Sequence, residues 1–332
     1  MEFCLKINRL IFVSLICCLL LQERMGMLHA NPFAIPGEVL PDPNPSPSYV
    51  GICTEANQLG GQLTSFAVVL GYAWANGLQP YFPHAWLLGR PGAESTYPEL
   101  LHRLPQVPLD FMSRGDFKHL VHVSSRSPVP YVSGHICFCV CPDYPLPYFD
   151  QYRDRIREQF APSEQMMQSM RLKYGFILDH PKTVAVHVRT YHPAHAMHHC
   201  LGADYYSNAI QLFPDDHLFV IFSDRISWCK DHLRLQGKKA VFIEGNTNLF
   251  DLYLMSRCKN IITANSTFSW WAAYLKADPD GKIYVPSKWF RNENPEDRKA
   301  FYPDHYSILW VGEIPPPDWN VTRYPTTSLH DH

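Results

Sequence analysis

The sequence predicts an α/β protein built on a parallel sheet with helices on both faces. Three observations carry that reading. From Lys182 onward, short apolar runs alternate with runs of helical period. The apolar runs are rich in Val, Ile and Phe and lack polar alternation, as strands buried on both faces do. Most of them stop at a small polar cluster, and ligands in such sheets bind beyond the carboxyl ends of the strands.

The elements follow in order. Lys6 and Arg9 flank the start of LIFVSLICCLLL, residues 10–21. A dozen apolar residues are short for a membrane span and suit a signal-peptide core; a short type II anchor is the alternative. Any membrane association would run through residues 7–21. Residues 1–30 are therefore read as signal peptide or anchor, in a membrane-associated or secretory protein. If translation starts at Met25 or Met27, the protein is cytoplasmic. Residues 31–49 are Pro-rich and suit an extended stem or linker. Gln62–Asn76 places Leu63, Phe66, Ala67, Leu70, Ala73 and Trp74 on one helical stripe, with Gly77 as its stop. Gly60, Gly61 and Gln62 form a glycine turn before it. Leu78–Phe82 reads as a strand. Residues 83–150 are rich in Pro and His without a clear period, and Tyr152–Tyr174 reads as one helix.

The regular half comes next. Its predicted strands are Val184–Val188, Leu218–Phe222, Ala240–Glu244, Asn260–Ala264 and Lys282–Val285. Its predicted helices are Asp204–Phe213, Ile226–Leu235, Asn248–Cys258 and Thr267–Lys276. At the carboxyl ends of the strands stand Arg189, then Ser223 and Asp224, then Gly245 and Asn246, then Asn265, Ser266 and Thr267.

Composition excludes some classes. The chain has 332 residues, 46% hydrophobic and 18% charged, so it folds. A net charge of −2 gives no electrostatic reason to expect nucleic acid. Of ten cysteines, Cys137, Cys139 and Cys141 alternate along HICFCVCP and would share one strand face. No paired C-x-x-C is present, which favours buried thiols over metal or disulfides.

The strand-end residues fit anion chemistry. Asn265-Ser266-Thr267 at a helix start offers backbone N–H groups, hydroxyls and a positive dipole end; a plain N-cap is the competing reading. Arg189 can clamp the same anion with two parallel hydrogen bonds. Asp251 either faces a base or ribose or is solvated. Neither G-x-G-x-x-G nor a P-loop is present, which disfavours a dinucleotide cofactor. Asp278-Pro279-Asp280 would sit at the wrong edge and reads as a turn. His192, His195, His198 and His199 occupy a loop marked by Pro193; acceptor contact, catalysis or a plain surface loop all rank ahead of a metal site.

Several motifs in order resemble the α1,2-fucosyltransferase family. Leu59-Gly60-Gly61-Gln62 is similar to its L-G-N-Q turn. Val186-His187-Val188-Arg189 is similar to the start of its H-V-R-R-G-D motif, and Cys200 with Asp204-Tyr205-Tyr206 to its C-x-x-x-Y-Y segment. Phe222-Ser223-Asp224 with Trp228 matches F-S-D-D-x-x-W. The run from Asp251 to Ala272, including Ala264-Asn265-Ser266-Thr267-Phe268-Ser269-Trp270-Trp271, is the most specific match. The chain departs from the family at Gly61, where the turn has Asn, and at Thr190-Tyr191-His192, where the motif continues R-G-D.

The resemblance implies two Rossmann-like domains in a GT-B-like arrangement. Residues 50–180 would form the acceptor side, residues 181–314 the GDP-sugar side, and residues 315–332 a tail. It implies transfer of L-fucose from GDP-fucose to a galactoside-terminated glycan, inverting and without a metal or other cofactor. Donor contacts would come from Arg189, Ser223, Asp224, Asp251, Asn265, Ser266, Thr267 and Ser269. Arg189 and His187 would be catalytic, with Glu55, His192 and His195 as candidate bases. The rival readings are a non-catalytic glycan- or nucleotide-binding protein, motivated by the departures at 190–192, and a transferase with another GDP-sugar or acceptor.

Overall fold

The computed structural model describes residues 48–52, 58–82, 119–121, 130–131, 136–138, 145–191, 195, 197–292 and 301–311. Glu55, His192, Cys139, Cys141, residues 1–47 and the 315–332 tail lie outside them. Among the described residues, no helix is long and apolar enough to cross a membrane.

Two parallel sheets organise the chain. In chain order the elements of the first part are β1 (Tyr49–Ile52), α1 (Leu59–Asn76), β2 (Gln79–Tyr81), β3 (His119–Val121), β4 (Ile136–Phe138), α2 (Leu146–Phe149), α3 (Arg153–Gln159) and α4 (Glu164–Leu178). Then come β5 (Thr183–Val188), α5 (Gly202–Gln211), β6 (Leu218–Ser223), α6 (Ile226–His232), β7 (Lys239–Phe242), α7 (Asn248–Ser256), β8 (Asn260–Ile262), α8 (Thr267–Tyr274), β9 (Ile283–Pro286) and β10 (Ser307–Leu309). The first sheet has the order β2-β1-β4-β3 and the second β10-β9-β8-β5-β6-β7. Every pairing is parallel, so all strands of a sheet open at one edge.

β5 shows why this sequence makes a central strand. Each of its residues is buried. Val184, Val186 and Val188 pack with Tyr205, Tyr206, Ala209 and Ile210 of α5. Ala185 faces the other way, into a core with Leu252, Met255, Trp270 and Trp271. The strand period of two therefore points His187 toward α8. The same core continues through Leu63, Phe66, Ala67 and Leu70 of α1. At this contact the Trp271 indole N–H donates to Thr64 Oγ1 at 2.9 Å.

Three expectations need correcting. The glycine turn is the first turn of α1 itself. Gln58 is the extended N-cap, and its carbonyl accepts the Gln62 N–H at 3.0 Å. The single helix expected over 152–174 is broken after Gln159, and α4 restarts with Ser163 capping the Met166 N–H at 3.1 Å. Pro162, between them, lacks an N–H and pushes the preceding residue out of helical geometry. Third, β7 and β8 stop two residues before their expected ends, although the Thr263 N–H still donates to the Tyr284 carbonyl of β9 at 2.9 Å. Gly77 stops α1 in the left-handed region at φ 65°, as its position predicts.

Candidate active site

The carboxyl edge of the second sheet gathers most of the predicted polar residues. Arg189 leaves β5 with its backbone N–H donating to the buried Tyr206 phenol at 3.2 Å. Its guanidinium pairs with Asp224 Oδ2 at 3.0 Å, across the ends of β5 and β6. The other carboxylate oxygen, Oδ1, accepts from the Thr190 N–H and the Thr190 hydroxyl, both at 3.2 Å, and from Ser223 Oγ at 3.4 Å. Ser223 Oγ in turn accepts the Arg225 N–H at 3.0 Å. The loops after β5 and β6 are thus tied together through one carboxylate.

His187 sits beneath this pair. Only 6% of it is exposed, and its ring lies 5.2 Å from that of Phe268 on α8. Burial, aided by the Arg189 charge, lowers its pKa to about 3. It is a neutral imidazole at physiological pH. Its Nδ1 is buried without a hydrogen-bond partner.

Asn265, Ser266 and Ser269 have structural work at the start of α8. Ser266 caps the helix, accepting the Phe268 N–H at 3.3 Å. Ser269 Oγ accepts the Ala264 N–H at 3.2 Å. The Asn265 amide donates to the carbonyls of His199 and Trp289, both at 2.8 Å. Its Oδ1 is left buried and unpartnered. Thr267, half-buried, meets α1. A Cβ placed on Gly60 would lie 2.5 Å from Thr267 Oγ1 and 2.6 Å from the Phe268 backbone nitrogen. Two helix N-termini, each a positive dipole end, therefore abut at this edge.

Asp251 belongs to a separate cluster. It lies in the first turn of α7, where it accepts from Asn246 Nδ2 at 2.7 Å. That amide also meets the Tyr174 phenol at 3.0 Å, and its oxygen accepts from Lys173 Nζ at 2.5 Å. Burial raises the Asp251 pKa to about 6, against the pull of the Asn246 hydrogen bond and the Lys173 charge. Asp278 lies at the opposite edge, paired with Lys259 at 2.5 Å.

The histidine loop forms a stack that the sequence did not foretell. His195 Nδ1 accepts the backbone N–H groups of Met197 and His198. The Tyr191 and His198 rings are parallel at 4.4 Å, and His198 lies 5.3 Å from Phe290. The aromatic neighbours Tyr191 and Phe290 come from separate loops, so the sequence pattern of the histidines does not show the stack. Among the described residues, no group of three or more His, Cys, Asp or Glu is placed to hold a metal ion.

Comparison with known proteins places this edge in context. Residues 134–313, more than half of the chain, match the profile of glycosyl transferase family 11. The chain belongs to glycosyl transferase family 11. Arg189, Asp224, Asp251 and the α8 start all lie inside the matched segment. The O-antigen biosynthesis glycosyltransferase WbnK of Escherichia coli is 31% identical over 175 residues, 49% of this chain and 57% of that protein. The matched part thus spans little more than half of that relative. The human galactoside alpha-(1,2)-fucosyltransferase 1 is 26% identical over 277 residues, 77% of this chain and 72% of that protein. Among solved structures, POFUT1 in complex with GDP-fucose aligns at 12% identity over 74% of this chain and 98% of that one, with a TM-score of 0.43.

Proposed function

We propose that this family 11 member transfers L-fucose from GDP-fucose to a galactose hydroxyl of a glycan, forming an α1,2 link. The observation that carries the reading is Arg189, held by Asp224 at the end of β5, beside two helix N-termini that converge at Gly60 and Thr267. Like dipole ends in contact repel, and an anion between or beside them relieves the repulsion. A diphosphate is such an anion. The relatives' names, α1,2-fucosyltransferase among them, supply the sugar and linkage.

In this proposal the acceptor hydroxyl loses its proton to a base as its oxygen bonds to C1 of fucose. The bond from C1 to the diphosphate oxygen breaks on the opposite face, with inversion, and GDP leaves. Arg189 and the α8 N-terminus stabilise the charge that develops on the departing phosphate. His187 supports Arg189 as a neutral, buried neighbour. Asp251 lines the base or ribose end. The two sheets act as a GT-B-like pair of halves, residues 50–180 on the acceptor side and 181–314 on the donor side. No divalent ion is required, since Arg189 and the helix N-termini supply the positive charge.

A second reading is another GDP-linked sugar. It is favoured by the 32% identity over 157 residues to an Escherichia coli protein named alpha-1,2-colitosyltransferase. The test incubates purified protein with GDP-fucose and a panel of β-galactosides, with and without excess chelator. Release of GDP with an α1,2-fucosylated product, unchanged by chelator, is the expected result. Measurable GDP binding with no GDP release for any acceptor overturns catalysis. Strict dependence on Mg²⁺ or Mn²⁺ overturns the metal-free part.

A further inference from the structure

Arg189 has a second neighbour besides Asp224. The centre of its guanidinium lies 5.5 Å from the centroid of the Tyr191 ring. Tyr191 is half-buried; burial raises its phenol pKa, while the charge of Arg189 and a hydrogen bond to it pull the other way. Behind Tyr191 the His198 ring lies at 4.4 Å and 10°, and behind that Phe290 at 5.3 Å and 30°. A guanidinium, a phenol, an imidazole and a phenyl ring thus form one column.

The base of the column is firmly anchored. His198 and Phe290 form an antiparallel bridge. The Arg291 N–H donates to the Met197 carbonyl at 2.9 Å, and the His199 N–H to the Trp289 carbonyl at 3.0 Å. The Asn265 amide binds the carbonyls of both His199 and Trp289. The top of the column is different. Arg189 is a long, rotamer-rich side chain, paired with Asp224 at 3.0 Å. Thr190, which stands where the resembled motif has its second arginine, gives its N–H and hydroxyl to Asp224. It contributes no charge of its own.

We propose that Tyr191, backed by His198 and Phe290, is a positioning residue that fixes the Arg189 guanidinium against the donor diphosphate. The column takes over the immobilisation that a second arginine would share, so one cation does the work in a fixed geometry. This inference rests on the proposed transfer reaction. Fixed charge acts on a transition state without reorganising, and misplacement by about 1 Å can cost on the order of 100-fold in rate.

The test is a double-mutant cycle of Tyr191→Ala with Arg189→Ala, with Tyr191→Phe as the conservative variant. It is read as kcat and KM for GDP-fucose and, separately, as GDP affinity by calorimetry. Tyr191→Ala should lower kcat about 10-fold or more with a smaller change in KM. Tyr191→Phe, which keeps the ring but loses the phenol hydrogen bond to Arg189, should restore part of that loss. In the Arg189→Ala background, Tyr191→Ala should have no further effect, because its action runs through Arg189. Losses that multiply in the double mutant, or a Tyr191→Ala kcat within about twofold of wild type, overturn the proposal. If the wild type transfers no fucose, the reaction assignment fails on its own. The cycle in GDP affinity then decides the inference: coupled effects support it and additive ones overturn it. Thermal midpoints of all variants separate positioning from misfolding.

Discussion

The two edges of the six-stranded sheet carry similar charges and treat them differently. At the amino edge, Asp278 pairs with Lys259 and takes the Lys276 ammonium on its carbonyl. Lys276 is 2% exposed. Around it, the Lys259 N–H meets Thr183 Oγ1 at 2.8 Å, Asn260 Nδ2 meets the Thr183 carbonyl at 3.1 Å, and the Lys282 N–H meets Asn260 Oδ1 at 2.9 Å. The groups of this network satisfy one another. At the carboxyl edge, Arg189 and Asp224 also pair, but His187 Nδ1, His198 Nδ1 and Asn265 Oδ1 stay buried without partners. Two helix starts also abut there. An ion pair alone does not mark a site. Several unmet polar atoms gathered beside it, with two abutting helix starts, mark one better, because folding normally satisfies buried polar groups. On the amino side one such atom, Arg257 Nε just before β8, stands apart from the Asp278 network.

The largest expected effect tests that contrast. Arg189→Ala should lower kcat by about 100- to 1000-fold, the scale of removing one charge-stabilising donor. The thermal midpoint should hardly move, because the ion pair is partly exposed and such pairs add little stability. Turnover near wild type would remove Arg189 from the chemistry and dissolve the contrast.

Next in size is Gly60→Ala. The added methyl would meet Thr267 Oγ1 and the Phe268 nitrogen at about the positions given above, and backbone cannot move aside cheaply. Overpacking costs typically about 1–3 kcal/mol. Because α1 would be pushed off the α8 start, kcat should fall together with the thermal midpoint. Full activity in a destabilised variant would show that the two helix starts need not touch for transfer.

These predictions rest partly on residues the sequence exposed and partly on ones it hid. β5 and β6 were legible because their apolar runs are continuous and doubly buried. Arg189 and Asp224 followed from the rule that ligands gather at carboxyl ends. The column Tyr191–His198–Phe290 was not legible, since its parts come from two loops about a hundred residues apart and no periodicity links them. The Gly60–Thr267 contact hid for the same reason. β3 and β4 are three residues each, too short to show a period within a Pro- and His-rich stretch. The break before α4 was readable at Pro162.

Asp278→Ala probes the amino edge. It would remove the carboxylate that pairs with Lys259 and lies 3.8 Å from the buried Lys276 ammonium, which keeps its hydrogen bond to the backbone carbonyl of residue 278, at about 1 kcal/mol. Kinetics per folded molecule should be unchanged. Burial already lowers the Lys276 pKa to about 8. Above that pH the amine is neutral, so the destabilisation should shrink as pH rises from 7 to 9. A drop in kcat without a drop in midpoint would mean that the amino edge also serves the reaction.

Asp251→Asn gives the smallest and most discriminating effect, since stability and binding should move in opposite directions. Burial raises the folded-state pKa from 3.8 to about 6. The native state therefore binds a proton more readily than the unfolded chain, and this carboxyl lowers stability as pH rises through that interval. An asparagine cannot ionise, yet its carbonyl can still accept from Asn246. The variant should match wild type near pH 4 and exceed it at pH 7–8 by about 1–2 kcal/mol, below the full value of 1.36 kcal/mol per unit because relaxation and water soften the penalty. If Asp251 lines the donor site, GDP affinity should fall about 10-fold at the same pH, as one charge-assisted hydrogen bond is lost. Denaturant melts at the two pH values and GDP titration read the two effects separately. Higher stability with unchanged GDP affinity would make Asp251 a strained structural carboxylate. The donor contacts would then be confined to Arg189 and the converging helix starts.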